Sequence, residues 1–219
     1  MSRTTIRPTK SRTPAKPRHR TLTWILGAVV VVAIVVGLYA IFSGSAGSTT
    51  LASGTTYAVG RPGPGQAAPA FTLADTTGKQ VSLADYRGKT VLLYFQEGLS
   101  CQPCWDQLTS LEQDASEVNA AGIDAVVSIT SDPANLIAQK TRDMGLTTPV
   151  LSDPDLATSQ KYAANQFGMM GTSRDGHTFI LVNPNGAITW RADYGGAPNY
   201  TMFVPVDQLL TDLRHGVKQ

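Results

Sequence analysis

The chain holds two cysteines in 219 residues, three positions apart in Cys101-Gln102-Pro103-Cys104. A disulfide across so short a ring removes little entropy from the unfolded chain, so a structural staple is a poor use of the pair. Two thiolates are also too few for a closed four-cysteine zinc site. The spacing does suit reversible thiol-disulfide chemistry. If the segment opens a helix, the free backbone N–H groups and the positive end of the helix dipole stabilise a thiolate at Cys101 and make it the nucleophile. Cys104, one turn later and facing inward, is then within reach of a mixed disulfide formed at Cys101. Pro103 fits a first turn, where its missing N–H has no helical acceptor. This exchange calls for no cofactor.

Glu97, four residues before Cys101, is a candidate proton acceptor when Cys104 attacks, a role that needs partial burial and a raised pKa. The alternative is a hydrated loop carboxylate. Trp105 shares a helical face with Leu108 and is expected in the core. Met169 and Met170 could serve as soft ligands, line an apolar partner groove or fill the underside of a loop.

The elements that position these residues are legible as alternating strands and helices. Thr90 to Phe95 is a near-continuous apolar run, as expected for a strand buried on both faces. Trp105, Leu108, Leu111, Ala115 and Val118 fall at helical spacing up to Gly122, and Ile123 to Thr130 reads as a second buried strand. Asp132-Pro133 is expected to cap and start a helix carrying Leu136, Ile137 and Met144. A short strand is expected at Thr148 to Leu151 and a third helix at Asp155 to Ala164. Strands at Thr178 to Val182 and Ala187 to Arg191 flank the turn Asn183-Pro184-Asn185-Gly186, and Val206, Leu209, Leu210 and Leu213 mark a terminal helix. Ahead of these, Phe71 to Leu73 and Val81 to Leu83 read as a hairpin. The order predicts an α/β domain with a central mixed sheet flanked by helices.

Charge divides the chain sharply. Residues 1 to 20 contain seven of the 18 lysines and arginines and none of the 16 acids, so a +7 tail precedes a remainder of −5. An acidic domain without a basic stripe argues against nucleic-acid binding. Leu22 to Phe42 is 21 residues without a charge, enough for a helix of about 31 Å that crosses a bilayer. The run exceeds that of a cleaved signal peptide and reads as an uncleaved anchor. Cations before it place the N-terminus in the cytoplasm and everything after Phe42 outside. Residues 43–66, rich in Gly, Ser, Thr and Pro, read as a flexible tether. The expected organisation is thus a cytoplasmic tail (1–21), a transmembrane helix (22–42), a linker (43–66) and one domain (67–219).

The segment APAFTLADTTGKQVSLADYRGKTVLLYFQEGLSCQPCWDQL resembles the opening of the thioredoxin-like family that contains alkyl hydroperoxide reductase C, the thiol-specific antioxidants (peroxiredoxins) and membrane-anchored thiol-disulfide oxidoreductases. FILVNPNGAITW resembles the family's later strand pair, and the likeness covers about Ala67 to Val217. It implies a thioredoxin-like fold with Cys101 and Cys104 at the active site. The expected activity is disulfide exchange with cysteine-containing exported proteins, coupled to a membrane-borne electron donor or acceptor. The alternative is an antioxidant peroxidase. Peroxiredoxins carry Pro-x-x-x-Thr-x-x-Cys, however, and counting back from Cys101 meets Tyr94 and Gly98, while counting back from Cys104 meets Glu97 and Cys101. Arg174 lies near the place of the peroxiredoxin arginine, two residues early relative to Phe179, and its plainer reading is a solvated loop residue. Where thioredoxins place a cis-proline, before the strand at Thr178, this chain has His177. The related copper-delivering branch joins a cysteine pair to a downstream histidine, which makes Cys101, Cys104 and His177 a candidate copper site. The plainer reading of His177 is an exposed loop residue.

Overall fold

Apolar runs buried on both faces build the middle of the sheet. The strands are β1 (Thr50–Leu51), β2 (Ala58–Val59), β3 (Thr72–Asp75), β4 (Gln80–Ser82), β5 (Val91–Phe95), β6 (Ala125–Thr130), β7 (Val150–Ser152), β8 (Thr178–Val182) and β9 (Ile188–Asp193). Helices are α1 (Gln102–Gln113), α2 (Ala115–Ala120), α3 (Ala134–Met144), α4 (Ala157–Lys161) and α5 (Val206–Gly216). The computed structural model describes residues 32–33, 50–51 and 56–217. It divides the chain into two units, Met1–Gly47 and Ser48–Gln219. In the first, Val32 and Ala33 are helical and exposed. The rest of the expected membrane span, the basic tail and residues 43–49 and 52–55 of the expected linker lie outside the described residues. Among those described, no helix is long and apolar enough to cross a membrane.

The strands of the second unit form one sheet in the order β1-β2-β9-β8-β5-β6-β7-β3-β4. β5 is parallel to β6 on one side and antiparallel to β8 on the other, and all five of its residues are buried. Successive side chains point to opposite faces. Leu92 and Tyr94 join Trp105 and Leu108 of α1, Ile137 of α3, Phe179 of β8 and Leu209 of α5 in one core cluster. Val91, Leu93 and Phe95 join Val127, Ile129, Leu151, Tyr162 and Ile180 in the other. Each large apolar side chain so buried contributes about 1.5–3 kcal/mol.

Several expectations are corrected. The single helix expected up to Gly122 is two, because the chain breaks at Asp114, and Ala115 is exposed. The third helix is shorter, Ala157–Lys161, followed by a separate 3-10 turn at Ala164–Gln166. Leu136 points outward on α3 while Ile137 is buried. Asp132 makes no capping bond to α3, whose N-cap is Pro133. The strand expected at 148–151 starts two residues later and ends one later, and β9 runs two residues past Arg191.

The folded unit also starts before Ala67. Tyr57 is buried between Trp190 and Tyr194, with ring centroids 6.0 and 5.2 Å away, and Ala58 pairs with Asp193. A buried ion pair anchors the same segment. Arg191 and Asp193 are two apart on β9 and so share a face, and their side chains are fully buried. Arg191 donates to both Asp193 oxygens (2.8 and 2.9 Å) and to the carbonyls of Pro62 (3.0 Å) and Tyr162 (2.7 Å). Asp193 also accepts from Gly60 N–H and the Thr178 hydroxyl, at 2.6 and 2.8 Å. Removing one member of such a pair strands its partner's charge in the interior. Asp193→Ala is therefore expected to lower the unfolding free energy by about 3–5 kcal/mol, read from urea midpoints; a loss within experimental error would show that the pair is not needed to hold the segment.

Candidate active site

The chain leaves β5 at Phe95, turns through a 3-10 segment at Gly98–Ser100 and enters α1 with Cys101 as its N-cap residue. Pro103 sits in the first turn, as its chemistry favours. Cys101 and Cys104 are joined as a disulfide, with Cα atoms 5.4 Å apart. Cys101 is 6% exposed and Cys104 is inaccessible, so the first cysteine is the one a partner can reach. Met202 packs on the pair. Its segment is tied to α1 by Gln107, whose buried Oε1 accepts from Val204 N–H at 2.7 Å.

Below the pair, the Tyr94 hydroxyl donates to the Cys104 carbonyl at 3.1 Å. Full burial, and then the negative charge of Glu97, hold its phenol well above the usual tyrosine pKa, so it stays a neutral donor. Trp105 is in the core as expected, and its Nε1–H donates to Gly98 O at 3.0 Å.

Glu97 is not a hydrated loop carboxylate. It is 4% exposed, and its Oε1 accepts the N–H groups of Met169 and, at 3.3 Å, Met170. The carboxylate therefore binds the loop before β8 to the loop before Cys101. Gly168 permits this approach, since a Cβ there would lie 2.7 Å from Glu97 Oε1. Met169 and Met170 are themselves 62% and 50% exposed, so they do not fill the underside of their loop.

Arg174 is likewise not simply solvated. Its Nη1 lies 2.8 Å from Asp132 Oδ1 and donates to the Glu97 carbonyl at 3.3 Å. The structure thus brings Glu97 and Arg174 to the same loop as the cysteines, together with Asp132, which was expected to cap a helix instead. The signal that could have exposed Asp132 is Gly98, a glycine at φ +77° whose Cβ would lie 1.7 Å from Asp132 Oδ2. Tyr94, Gln107 and Met202 carried no such signal, because their roles depend on long-range packing.

His177 is fully buried rather than exposed. Its ring packs 5.2 Å from Tyr94 and 5.1 Å from Phe179, and neither nitrogen has a hydrogen-bond partner. Among the described residues no group of three or more His, Cys, Asp or Glu side chains is arranged to hold a metal ion, so Cys101, Cys104 and His177 are not assembled as the candidate copper set.

Residues 64–191 match the AhpC/TSA family, and the chain belongs to it. A Mycobacterium tuberculosis relative classed provisionally as a peroxiredoxin is 44% identical over 92 residues, which are 42% of this chain and 58% of that one. The thiol-disulfide oxidoreductase ResA of Bacillus subtilis is 27% identical over 124 residues, 57% of this chain and 64% of that one. Both matches span less than two thirds of the relative's length. In three dimensions the chain is similar to peroxidoxin BcpB of Mycobacterium tuberculosis, with a TM-score of 0.57 and 19% identity over 70% of this chain and 97% of that one. That likeness is one of fold, and it is the thioredoxin-like fold that the sequence resemblance implied.

Burial pushes the His177 imidazole down to about 3, from an ordinary value of 6.5. The unfolded chain therefore binds a proton near pH 6.5 that the native state refuses until about pH 3. Stability from this residue is intact above pH 6.5 and is lost as pH falls towards 3, by about 1.4 kcal/mol per pH unit. His177→Phe is expected to flatten that decline relative to wild type in urea titrations at pH 7, 5 and 4. An unchanged difference between pH 7 and pH 4 would refute the burial of a neutral imidazole.

Proposed function

We propose that the protein is a membrane-tethered thiol-disulfide oxidoreductase that works outside the cytoplasm on cysteines of exported proteins. The observation that carries this reading is the disulfide at the N-terminus of α1, with Cys101 at the helix cap and Cys104 buried behind it. Its membership of the AhpC/TSA family and its likeness to ResA support the same chemistry. The tether and the compartment rest on the apolar run Leu22 to Phe42 and the seven cations before it.

In the reducing direction the Cys101 thiolate attacks one sulfur of a client disulfide. A Cys101–client bond forms, the client's S–S bond breaks, and one client thiolate leaves. The Cys104 thiolate then attacks Cys101 Sγ, re-forming the disulfide seen here and releasing the second client thiolate. Two electrons pass to the client, and a membrane-borne donor restores the dithiol. In the oxidising direction the same steps run backwards and the partner is an acceptor. The helix N-terminus favours the thiolate that each step needs.

A Cys104→Ala variant keeps the nucleophile and loses the resolving thiol, so mixed disulfides should accumulate at Cys101. Non-reducing gels after acid quenching and mass spectrometry are the measurement, and recovery of no such adducts from cells would remove client exchange. Carbonate extraction of the same cells tests the tether: full release of the protein into the supernatant would contradict it.

Peroxide reduction is the second reading, favoured by family membership. Against it stands Gly98, at the threonine position counted back from Cys101. The Asp132 carboxylate occupies the space that a hydroxyl-bearing side chain would need there. We therefore expect reduced Cys101 to react with hydrogen peroxide no faster than about tenfold above free cysteine, measured by stopped-flow tryptophan fluorescence. A rate several orders higher would reverse the order of the two readings.

A further inference from the structure

The reactivity of Cys101 depends on how the chain before it is held, and one peptide group does most of that holding. The Gly98–Leu99 amide offers its N–H to Asp132 Oδ2 at 2.6 Å. Its carbonyl accepts Cys101 N–H at 2.9 Å and Trp105 Nε1–H at 3.0 Å. The backbone of the nucleophile is thus joined to Asp132 through a single peptide plane. Charge assistance makes the Asp132 end of this relay strong.

Asp132 is built for the task. It is 4% exposed, its Oδ2 also accepts the Thr130 hydroxyl at 3.2 Å, and its Oδ1 is paired with Arg174 at 2.8 Å. Thr130 closes β6, and Asp132 follows two residues later in the bend that leads to α3, so the Thr130 hydroxyl ties the carboxylate to the end of the central sheet. Its place at the head of α3 would suit a cap, yet it makes no capping bond there. Gly98 has the left-handed conformation that only a residue without Cβ adopts easily, and the space of that Cβ is taken by Asp132 Oδ2. These observations agree on a residue committed to the active-site loop.

We propose that Asp132 is the positioning residue for Cys101, fixing its backbone through the Gly98–Leu99 peptide group, with Arg174 as the counter-charge that balances the carboxylate near the thiolate. The proposal rests on the reading above only in taking Cys101 as the reactive thiol. When the disulfide is reduced, a thiolate at Cys101 feels both charges of the pair. Neutralising Asp132 leaves Arg174 and favours the thiolate, whereas neutralising Arg174 leaves Asp132 and disfavours it. The other charged groups facing this region are Glu97, Asp175 and Lys140, which lies 5.9 Å above the Trp105 ring; all three are common to the variants below.

The opposite signs make the test. Full-length protein is reduced with dithiothreitol, freed of reductant and alkylated with iodoacetamide from pH 4 to 10, with the modified cysteine located by peptide mapping. Arg174→Gln should move the Cys101 profile to higher pH, with alkylation at pH 7 slower by about threefold or more. Asp132→Asn, which keeps an acceptor oxygen, should move it to lower pH, while Arg174→Lys should match wild type. The double variant Asp132→Asn/Arg174→Gln should return towards wild type. Asp132→Ala removes the peptide anchor too, and should also lower the plateau rate at high pH, which reports positioning rather than ionisation. Near-ultraviolet circular dichroism checks that each variant folds. If Arg174→Gln and Asp132→Asn shift the profile in the same direction, or if the Asp132→Ala plateau equals that of wild type, the proposal is overturned. Preferential alkylation of Cys104 in the wild type would instead sink the assignment of the nucleophile on which it rests.

Discussion

Burial of β5 on both faces is the constraint from which the site follows. A strand with no accessible residue delivers the chain to its end still inside the protein, where backbone N–H and C=O groups must find partners without water. The next residues meet that demand in turn. Gln96 N–H goes to Ile129 O at 3.0 Å, and its side-chain amide donates to Ser128 at 2.7 Å. The Glu97 carbonyl accepts Arg174, and the Gly98–Leu99 peptide group takes Asp132 on one side and Cys101 and Trp105 on the other. Cys101 is therefore held by the same bonds that let the strand end indoors. Folding and the placement of Cys101 draw on one set of contacts here.

How far the sequence disclosed this arrangement depended on the range of the interactions. β8 lies where its apolar run indicated, and the buried faces of α1 and α5 include Trp105, Leu108, Leu209 and Leu213, because period and burial are local properties. The cysteine pair was legible for the same reason, with both residues in one short motif. Asp132 was misread because Asp-Pro is a good local signal for a helix start, and the local signal lost to a buried N–H 33 residues away in sequence. Tyr57 was assigned to a tether because its neighbours are Gly, Ser and Thr; its place is set by Trp190 and Tyr194, at the far end of the domain. His177 was read as exposed because a lone histidine beside glycine has no local mark of burial. Its surroundings come from β5 and β8, and from Tyr194 beyond β9.

The interior carries more ionisable groups than its apolar clusters suggest, and they are handled in different ways. Arg191 and Asp193 satisfy each other and several backbone groups besides. His177 has no partner and meets burial by remaining neutral. Asp175 is also buried. Ser159 gives its hydroxyl hydrogen to Asp153 at 2.5 Å, which leaves both Asp175 oxygens unpartnered. Burial, and then the nearby charges of Asp153 and Asp132, outweigh Arg174 and hold this carboxyl well above the usual range. The two residues bias stability in opposite senses. The contribution of Asp175 is present at low pH and fades as pH rises through its folded value, whereas that of His177 is present at neutral pH and fades as pH falls. They lie two residues apart on the segment that also carries Arg174, so the two opposite pH dependences arise beside the loop that leads to Cys101.

That placement bears on the redox poise of the pair. A disulfide has no charge to accommodate, whereas the reduced state must hold a thiolate, and 30 mV of potential corresponds to about 1.4 kcal/mol of difference between them. The N-terminus of α1 favours the thiolate and so makes the disulfide more oxidising. Glu97 and Asp132 act against it, and Arg174 offsets part of their effect. Residues 21–219 are acidic overall, at −5 against the +7 of the first 20 residues, so their long-range field adds to the acids and not to the arginine. Salt screens that long-range part over about 8 Å at physiological ionic strength but scarcely touches the buried carboxylates. The reduction potential of this pair is therefore set locally, by the balance between one helix end and a few side chains whose geometry β5 and β6 impose.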